Sequence, residues 1–220
     1  MNTNVVIIDY GIGNVSSVLR AVKKFTPNCE LTDNPEKIVD AERLILPGDG
    51  AFGDTMNQLN KKHLITPLLR YISDKKPFLG ICVGMQVLAT ISEEFGIHKG
   101  LNLIPGKVIK FKKSKSIHNP YKIPQIGWNK LVKPKHVKTW KGTILEGISE
   151  GNWVYFIHSY IVIPNNKSYN LALTKYGDTI YSSIIMKENI VACQFHPEKS
   201  ATIGLRIVEN FISNYEKKRD

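Results

Sequence analysis

A chain of 220 residues with 42% hydrophobic and 22% charged residues has enough apolar material for one sizeable core and is short for two, so residues 1–220 are read as one domain. No stretch has the length of a membrane span, the polar start lacks the basic region and cleavage site of a leader, and three cysteines without a close pair exclude a disulfide framework or a Cys-x-x-Cys zinc site. The expectation is a cytoplasmic protein, with no metal and no membrane partner. The net charge of +11 invites a nucleic-acid reading, but residues 107–141 hold eleven lysines and no Asp or Glu, so the excess belongs to one segment.

Residues 5–9 predict a buried strand, and Asn14 stands where it can cap a helix carrying Val15, Val18, Leu19, Val22 and Phe25 at helical spacing. Residues 44–46 predict a second strand, ended by Pro47-Gly48, with helices expected from about Asp54 and about Pro67. The apolar run 77–81, behind the solvated Asp74-Lys75-Lys76, predicts a third strand. This alternation gives an α/β fold with a mainly parallel central sheet flanked by helices, binding its ligand at the strands' carboxyl ends. After about residue 101 the texture changes to short strands divided by Gly, Pro and Asn, at 107–111, 127–132, 153–158, 171–176, 179–186 and 190–195, an antiparallel addition to the sheet. A closing helix at 202–215 carries Ile203, Ile207, Val208, Phe211, Ile212 and Tyr215 on one side. There is no internal repeat.

The chemistry concentrates at Gly80-Ile81-Cys82-Val83-Gly84-Met85-Gln86. A cysteine between glycines, where a strand turns into a helix expected at 85–91, has the form of a nucleophile elbow, with the helix N-terminus beneath the sulfur favouring thiolate. A cysteine in an apolar stretch is more often a small buried hydrophobe, the reading given to Cys29 and Cys193; the glycines set Cys82 apart.

For a base there are six histidines. His63, His98, His118 and His136 lie among polar residues and read as surface groups, whereas His158 and His196 each follow an apolar strand. In an extended segment residues i and i+2 project to one side, so Glu198 can orient His196, while Ser159 and Tyr160 after His158 supply no acid. Cys82, His196 and Glu198 are therefore taken as nucleophile, base and orienter. The Val83 N–H and the Pro47–Gly50 turn, with Asp49 and Gly50, are the candidate oxyanion donors. The loop Asp9-Tyr10-Gly11-Ile12-Gly13-Asn14 has two glycines of a dinucleotide fingerprint but Ser16 at the third, and no cofactor is inferred.

Taken together, GICVGMQ with Cys82, FHPEKS with His196 and Glu198, PGDGAFGD from Pro47, DYGIGN from Asp9, IGWN from Ile126 and FIHSY from Phe156 resemble the glutamine amidotransferase subunits of imidazole glycerol phosphate synthase. The cysteine and histidine motifs alone resemble any triad-type class I amidotransferase, whose fold is flavodoxin-like; Met85-Gln86, IGWN and FIHSY narrow the likeness. The resemblance implies a glutaminase that frees ammonia from L-glutamine and passes it to a (β/α)8-barrel cyclase subunit in histidine biosynthesis. It also implies that Gln86 contacts bound glutamine, that the backbone of His158, Ser159 and Tyr160 lines the same pocket, and that Asn14, Trp128 and Lys199 lie near the cyclase interface or its signalling route. Trp128 could equally be a core aromatic.

Asp49 and Gln125 depart from the family pattern, which commonly has valine and histidine there, and they leave open a paralogue feeding amidino-sugar synthesis. Asp49 is expected to turn its carboxylate away from Cys82, with a cation as one partner it could take. A cysteine peptidase with a similar elbow is a second enzyme reading. From another class, the lysine segment could bind nucleic acid, although Phe111, Tyr121, Trp128 and Trp140 are not regularly interleaved with its lysines.

Overall fold

Strands buried on both faces read as continuous apolar runs, and three of them, β1 (Val5–Ile8), β3 (Arg43–Leu46) and β4 (Phe78–Ile81), are buried at every position. The computed structural model describes residues 3–112 and 120–213. Between and after these strands come α1 (Val15–Val22), β2 (Cys29–Thr32), α2 (Pro35–Asp40), α3 (Phe52–Lys61), α4 (Ile65–Ser73) and α5 (Val83–Gln86). The second half adds β5 (Ile91–Ser92), β6 (His98–Lys99), β7 (Gly106–Lys110), β8 (Gln125–Lys130), β9 (Trp153–His158), β10 (Tyr160–Pro164), β11 (Asn170–Tyr176), β12 (Thr179–Lys187), β13 (Ile190–Cys193) and α6 (Ala201–Ser213).

The main sheet has seven strands in the order β11-β12-β13-β4-β3-β1-β2. Pairing is parallel from β13 across to β2 and antiparallel at β11–β12 and β12–β13, which is the expected parallel sheet with an antiparallel extension. The consequence for function is positional. β4 and β13 are neighbours in register, Ile81 beside Cys193, so residues leaving their carboxyl ends emerge side by side. Arg43, buried in β3, donates from Nε to the Ile212 carbonyl at 2.8 Å and lies over the Phe211 ring, docking α6 on the sheet. Two smaller sheets, β10-β7-β5-β6 and the β8–β9 ribbon, wall the same end.

Several expectations are corrected. The helix expected at 85–91 stops at Gln86, and Ile91 lies in β5. The physical reason is competition for carbonyls. Those of Val87, Leu88 and Ala89, which would carry the next turn, instead accept from the N–H groups of Leu101, Leu103, Ile104 and Asn102. Asn14 occupies the first flanking position of α1 but makes no side-chain cap. Cys29 is half-buried rather than core, its thiol 3.6 Å from the Thr26 carbonyl. His98 is half-buried against Gly53 rather than solvated. His118, part of the lysine segment and the end of the last helix at Tyr215 lie outside the described residues.

Candidate active site

Cys82 sits at φ 55° and ψ −111°, a conformation that a side-chain-bearing residue holds only when the surroundings force it. Its N–H donates to the Cys193 carbonyl at 2.8 Å, and its own carbonyl accepts from Met85 and Gln86 at 3.0 and 3.2 Å, so the elbow is tied on both sides. A Cβ on Gly84 would collide with the Leu46 carbonyl oxygen, and one on Gly80 would press on Gly84; α5 reaches the end of β3 only because both are glycine. With one turn of helix, α5 offers the sulfur only a short run of aligned peptides. The stronger activating group lies across the sheet.

That group is His196, the first residue past Phe195 after β13, extended at φ −98° and ψ 100°. The chain does not continue extended to Glu198, as the sequence reading supposed. It coils into a 3-10 turn over Pro197–Lys199, and the turn brings Glu198 back so that its Oε1 meets His196 Nδ1 at 2.7 Å with both side chains buried. The Ser200 hydroxyl donates to the His196 carbonyl at 2.6 Å and accepts from the Tyr155 N–H at 2.9 Å. A Cβ on Gly204 would strike the Pro197 carbonyl, so α6 can seat beneath the turn only with glycine there.

With Nδ1 on the carboxylate, Nε2 is the nitrogen left for Cys82. It is buried and makes no hydrogen bond of standard geometry, as does Glu198 Oε2, yet the sulfur is near enough to govern the ring's titration. Burial alone would favour neutral imidazole. Hydrogen bonding and charge from Cys82 and Glu198 outweigh it and push His196 up to about 10. Cys193, fully buried beside both, goes the other way: burial, then the charges of Glu198 and Cys82, hold its thiol well above the usual range. It is the inert cysteine the sequence reading expected.

His158, also buried, is sealed differently. Its Nδ1–H donates to the Tyr160 carbonyl at 2.9 Å, Nε2 lies 3.3 Å from the Tyr181 hydroxyl, and Phe111, Phe156 and Tyr181 pack around the ring. Burial, with the charge of His196 adding to it, lowers its pKa to about 4. The Tyr181 hydroxyl donates to Gln125 Oε1 at 2.9 Å, so Gln125 is a buried partner of this cluster.

Between the two histidines a cavity of about 290 Å³ opens, lined by Asp49, Gly50, Cys82, Val83, Gln86, Glu94, Pro124, Ile157, His158, Ser159 and Tyr160. Every sequence-derived pocket and oxyanion residue lies on this wall. Asp49 is exposed at the rim, its Cβ against Gly13, and among the described residues no cation forms an ion pair with it. Asn14 is exposed at the start of α1, Lys199 is half-exposed in the 3-10 turn, and Trp128, at 49% exposure, is no core aromatic.

Three residues of the site escaped the sequence reading. Glu94, next to the tip of the β5–β6 hairpin, accepts from the Phe52 N–H at 2.6 Å and so caps α3 while lining the cavity. Tyr10, buried with its hydroxyl near Cys82, Asp49 and Asp9, is pushed up to about 12 chiefly by burial. Gln194, fully buried between Cys193 and Phe195, directs its Nε2 at the Cys82 sulfur at 3.7 Å. Its signal was a polar residue inside an otherwise apolar strand end.

A parallel sheet with a strained cysteine, a carboxylate-held histidine and an adjacent closed-end cavity defines an acyl-transferring cysteine enzyme of the amidotransferase type. The chain belongs to the class I glutamine amidotransferase family, whose family model matches residues 6–214. It is 44% identical over 210 residues to imidazole glycerol phosphate synthase subunit HisH 1 of Legionella pneumophila (strain Paris), covering 96% of this chain and 99% of that one. It is 43% identical over 208 residues to the HisH subunit of Syntrophotalea carbinolica, with 94% and 98% covered. The solved structure of PurLQS from Thermotoga maritima matches 98% of this chain and 99% of its own with a TM-score of 0.68 at 16% identity, a likeness of fold.

Proposed function

We propose that this chain is the glutaminase subunit of an imidazole glycerol phosphate synthase, using Cys82, His196 and Glu198 on L-glutamine. The single observation that carries the chemistry is the buried 2.7 Å His196–Glu198 pair set beside the elbow cysteine at the cavity wall. The Cys82 thiolate attacks the side-chain carbonyl carbon of glutamine. The oxyanion that forms meets the N–H of Val83 and the backbone of the Asp49-Gly50 segment. His196, protonated through Nε2, gives its proton to the departing nitrogen, the C–N bond breaks, and ammonia leaves. Water, deprotonated by the same nitrogen, then cleaves the glutamyl thioester to glutamate and free thiolate. Glu198 holds the imidazole orientation and balances its charge throughout. Glu94 offers a carboxylate for the substrate's α-ammonium.

The ammonia passes to a (β/α)8-barrel cyclase subunit that makes imidazole glycerol phosphate. What supports a docked partner is the outer face of the β8–β9 ribbon, where register pairs Ile126 with Ile157, Trp128 with Tyr155 and Lys130 with Trp153. Ile126, Trp128, Trp153 and Ile157 are exposed there, and Ile157 also lines the cavity. An exposed apolar face that runs to the mouth of a site fits a subunit covering that site. Expressed in a strain that lacks this subunit, the gene should restore growth without histidine. Glutaminase activity with no rescue, in cells making the chain and a matched cyclase subunit, would redirect the proposal to another ammonia acceptor.

A further inference from the structure

The amide of Gln194 has a polarity that the backbone dictates. Gln86 Nε2 lies 3.1 Å from the Tyr160 carbonyl oxygen, a group that only accepts, so the Gln86 atom there is the NH2. The same nitrogen is 3.2 Å from Gln194, which must therefore present its Oε1. The Gln194 NH2 is then left facing Cys82 Sγ at 3.7 Å. The Tyr160 carbonyl that anchors this chain is itself fixed by a second donor, His158 Nδ1. With Gln86 using Nε2 for both contacts, its Oε1 is the atom left for the cavity it lines.

We propose that Gln194 performs two tasks for the glutaminase reaction: it donates an N–H to the Cys82 sulfur, favouring the thiolate, and it holds Gln86 so that an acceptor faces the substrate. The second task sets specificity. An acceptor at the cavity wall takes an N–H from the carboxamide of glutamine and repels the carboxylate of glutamate, so it selects substrate over product. A Gln86 free to turn its amide over would present NH2 and favour glutamate. This inference rests on the glutaminase reading for the second task alone, because the first concerns a cysteine and its neighbour whatever the substrate.

The test uses Gln194→Met, which conserves shape and removes both polar groups, and Gln194→Glu, which keeps an acceptor toward Gln86 and removes the donor. Both are measured in the assembled complex, per active site titrated with a thiol reagent, so that only folded molecules are counted. Both variants should raise the pH midpoint of Cys82 alkylation by iodoacetamide by about one unit. Gln194→Met should also lower the preference for glutamine over glutamate, read as kcat/KM against the glutamate inhibition constant, by about tenfold or more. Adding Gln86→Met to Gln194→Met should then cost that preference nothing beyond Gln86→Met alone. Unchanged alkylation midpoints would overturn the first task. Preference retained within twofold, or strict additivity of the two substitutions, would overturn the second. A shifted midpoint in a chain with no turnover on glutamine would leave the sulfur contact standing and remove the glutaminase reading instead.

Discussion

Two buried histidines, close enough that the charge of one is felt by the other, end on opposite sides of neutrality: His196 is pushed up to about 10 and His158 down to about 4. Burial pulls both rings toward the neutral form. At His158, on the ribbon side, the partners are a backbone carbonyl, a phenol and three aromatic faces, and nothing there compensates a positive charge. At His196, on the sheet side, a carboxylate and a thiol do. Position after an apolar strand therefore does not make a histidine a base; the charge of its neighbours does.

The comparison can be broken at either end. Its largest consequence is Cys82→Ala, which should abolish glutamine-dependent synthesis in the complex, by at least about 10³-fold, while synthesis from ammonium salts persists. Loss of both activities would make Cys82 a structural residue. Next comes Glu198→Gln, which keeps the shape of the pair but removes its charge. Turnover should fall by roughly 10² or more, with the proton affinity of His196, followed by the chemical shift of its ring, moving down. A ring that keeps its titration would show that the carboxylate is not what raises it.

At the other end, His158→Asn tests the seal. His158 titrates lower in the folded chain than the ordinary 6.5, so its neutral form is favoured by folding. The associated stability is intact above pH 6.5 and is lost as pH falls from 6.5 to about 4. His196 has the opposite sign, its contribution being present below 6.5 and lost as pH rises through about 10. Denaturant unfolding at pH 7 and at pH 4.5 should show the wild-type chain losing on the order of 2 kcal/mol more than His158→Asn; equal losses would place the acid sensitivity elsewhere. The smallest effect belongs to Asp49→Asn. Exposed at the rim, this carboxylate is screened by water, and turnover in the complex should change by less than about threefold. A rise of about 30-fold would mean that it faces the developing oxyanion and slows the reaction.

The sequence carried the parallel half of the fold well because β1, β3 and β4 are short apolar runs between turn residues, a pattern with few alternatives. β2 and α2 went unread: Cys29–Thr32 is half-buried at every position and has no period to find, although Asn34 before Pro35 marked the start of α2, with its side chain accepting from the Glu36 and Lys37 N–H groups. The two-residue strands β5 and β6 are set by pairing with β7 and with each other, a long-range cause. Glu198 was found by an argument from extended spacing that the 3-10 turn replaces, and Glu94 and Gln194 depend on distances between segments far apart in the chain. Local pattern exposed the nucleophile; tertiary pairing decided which polar groups surround it.

The central claim is that Cys82 carries the glutamyl group while His196 moves protons beside it. Acid quenching of the assembled complex during turnover on glutamine, followed by peptide mass analysis, tests it most directly. The account predicts a glutamyl adduct on the peptide containing Cys82 and none on Cys29 or Cys193. Turnover with no adduct on Cys82, or an adduct on Cys193, would contradict it.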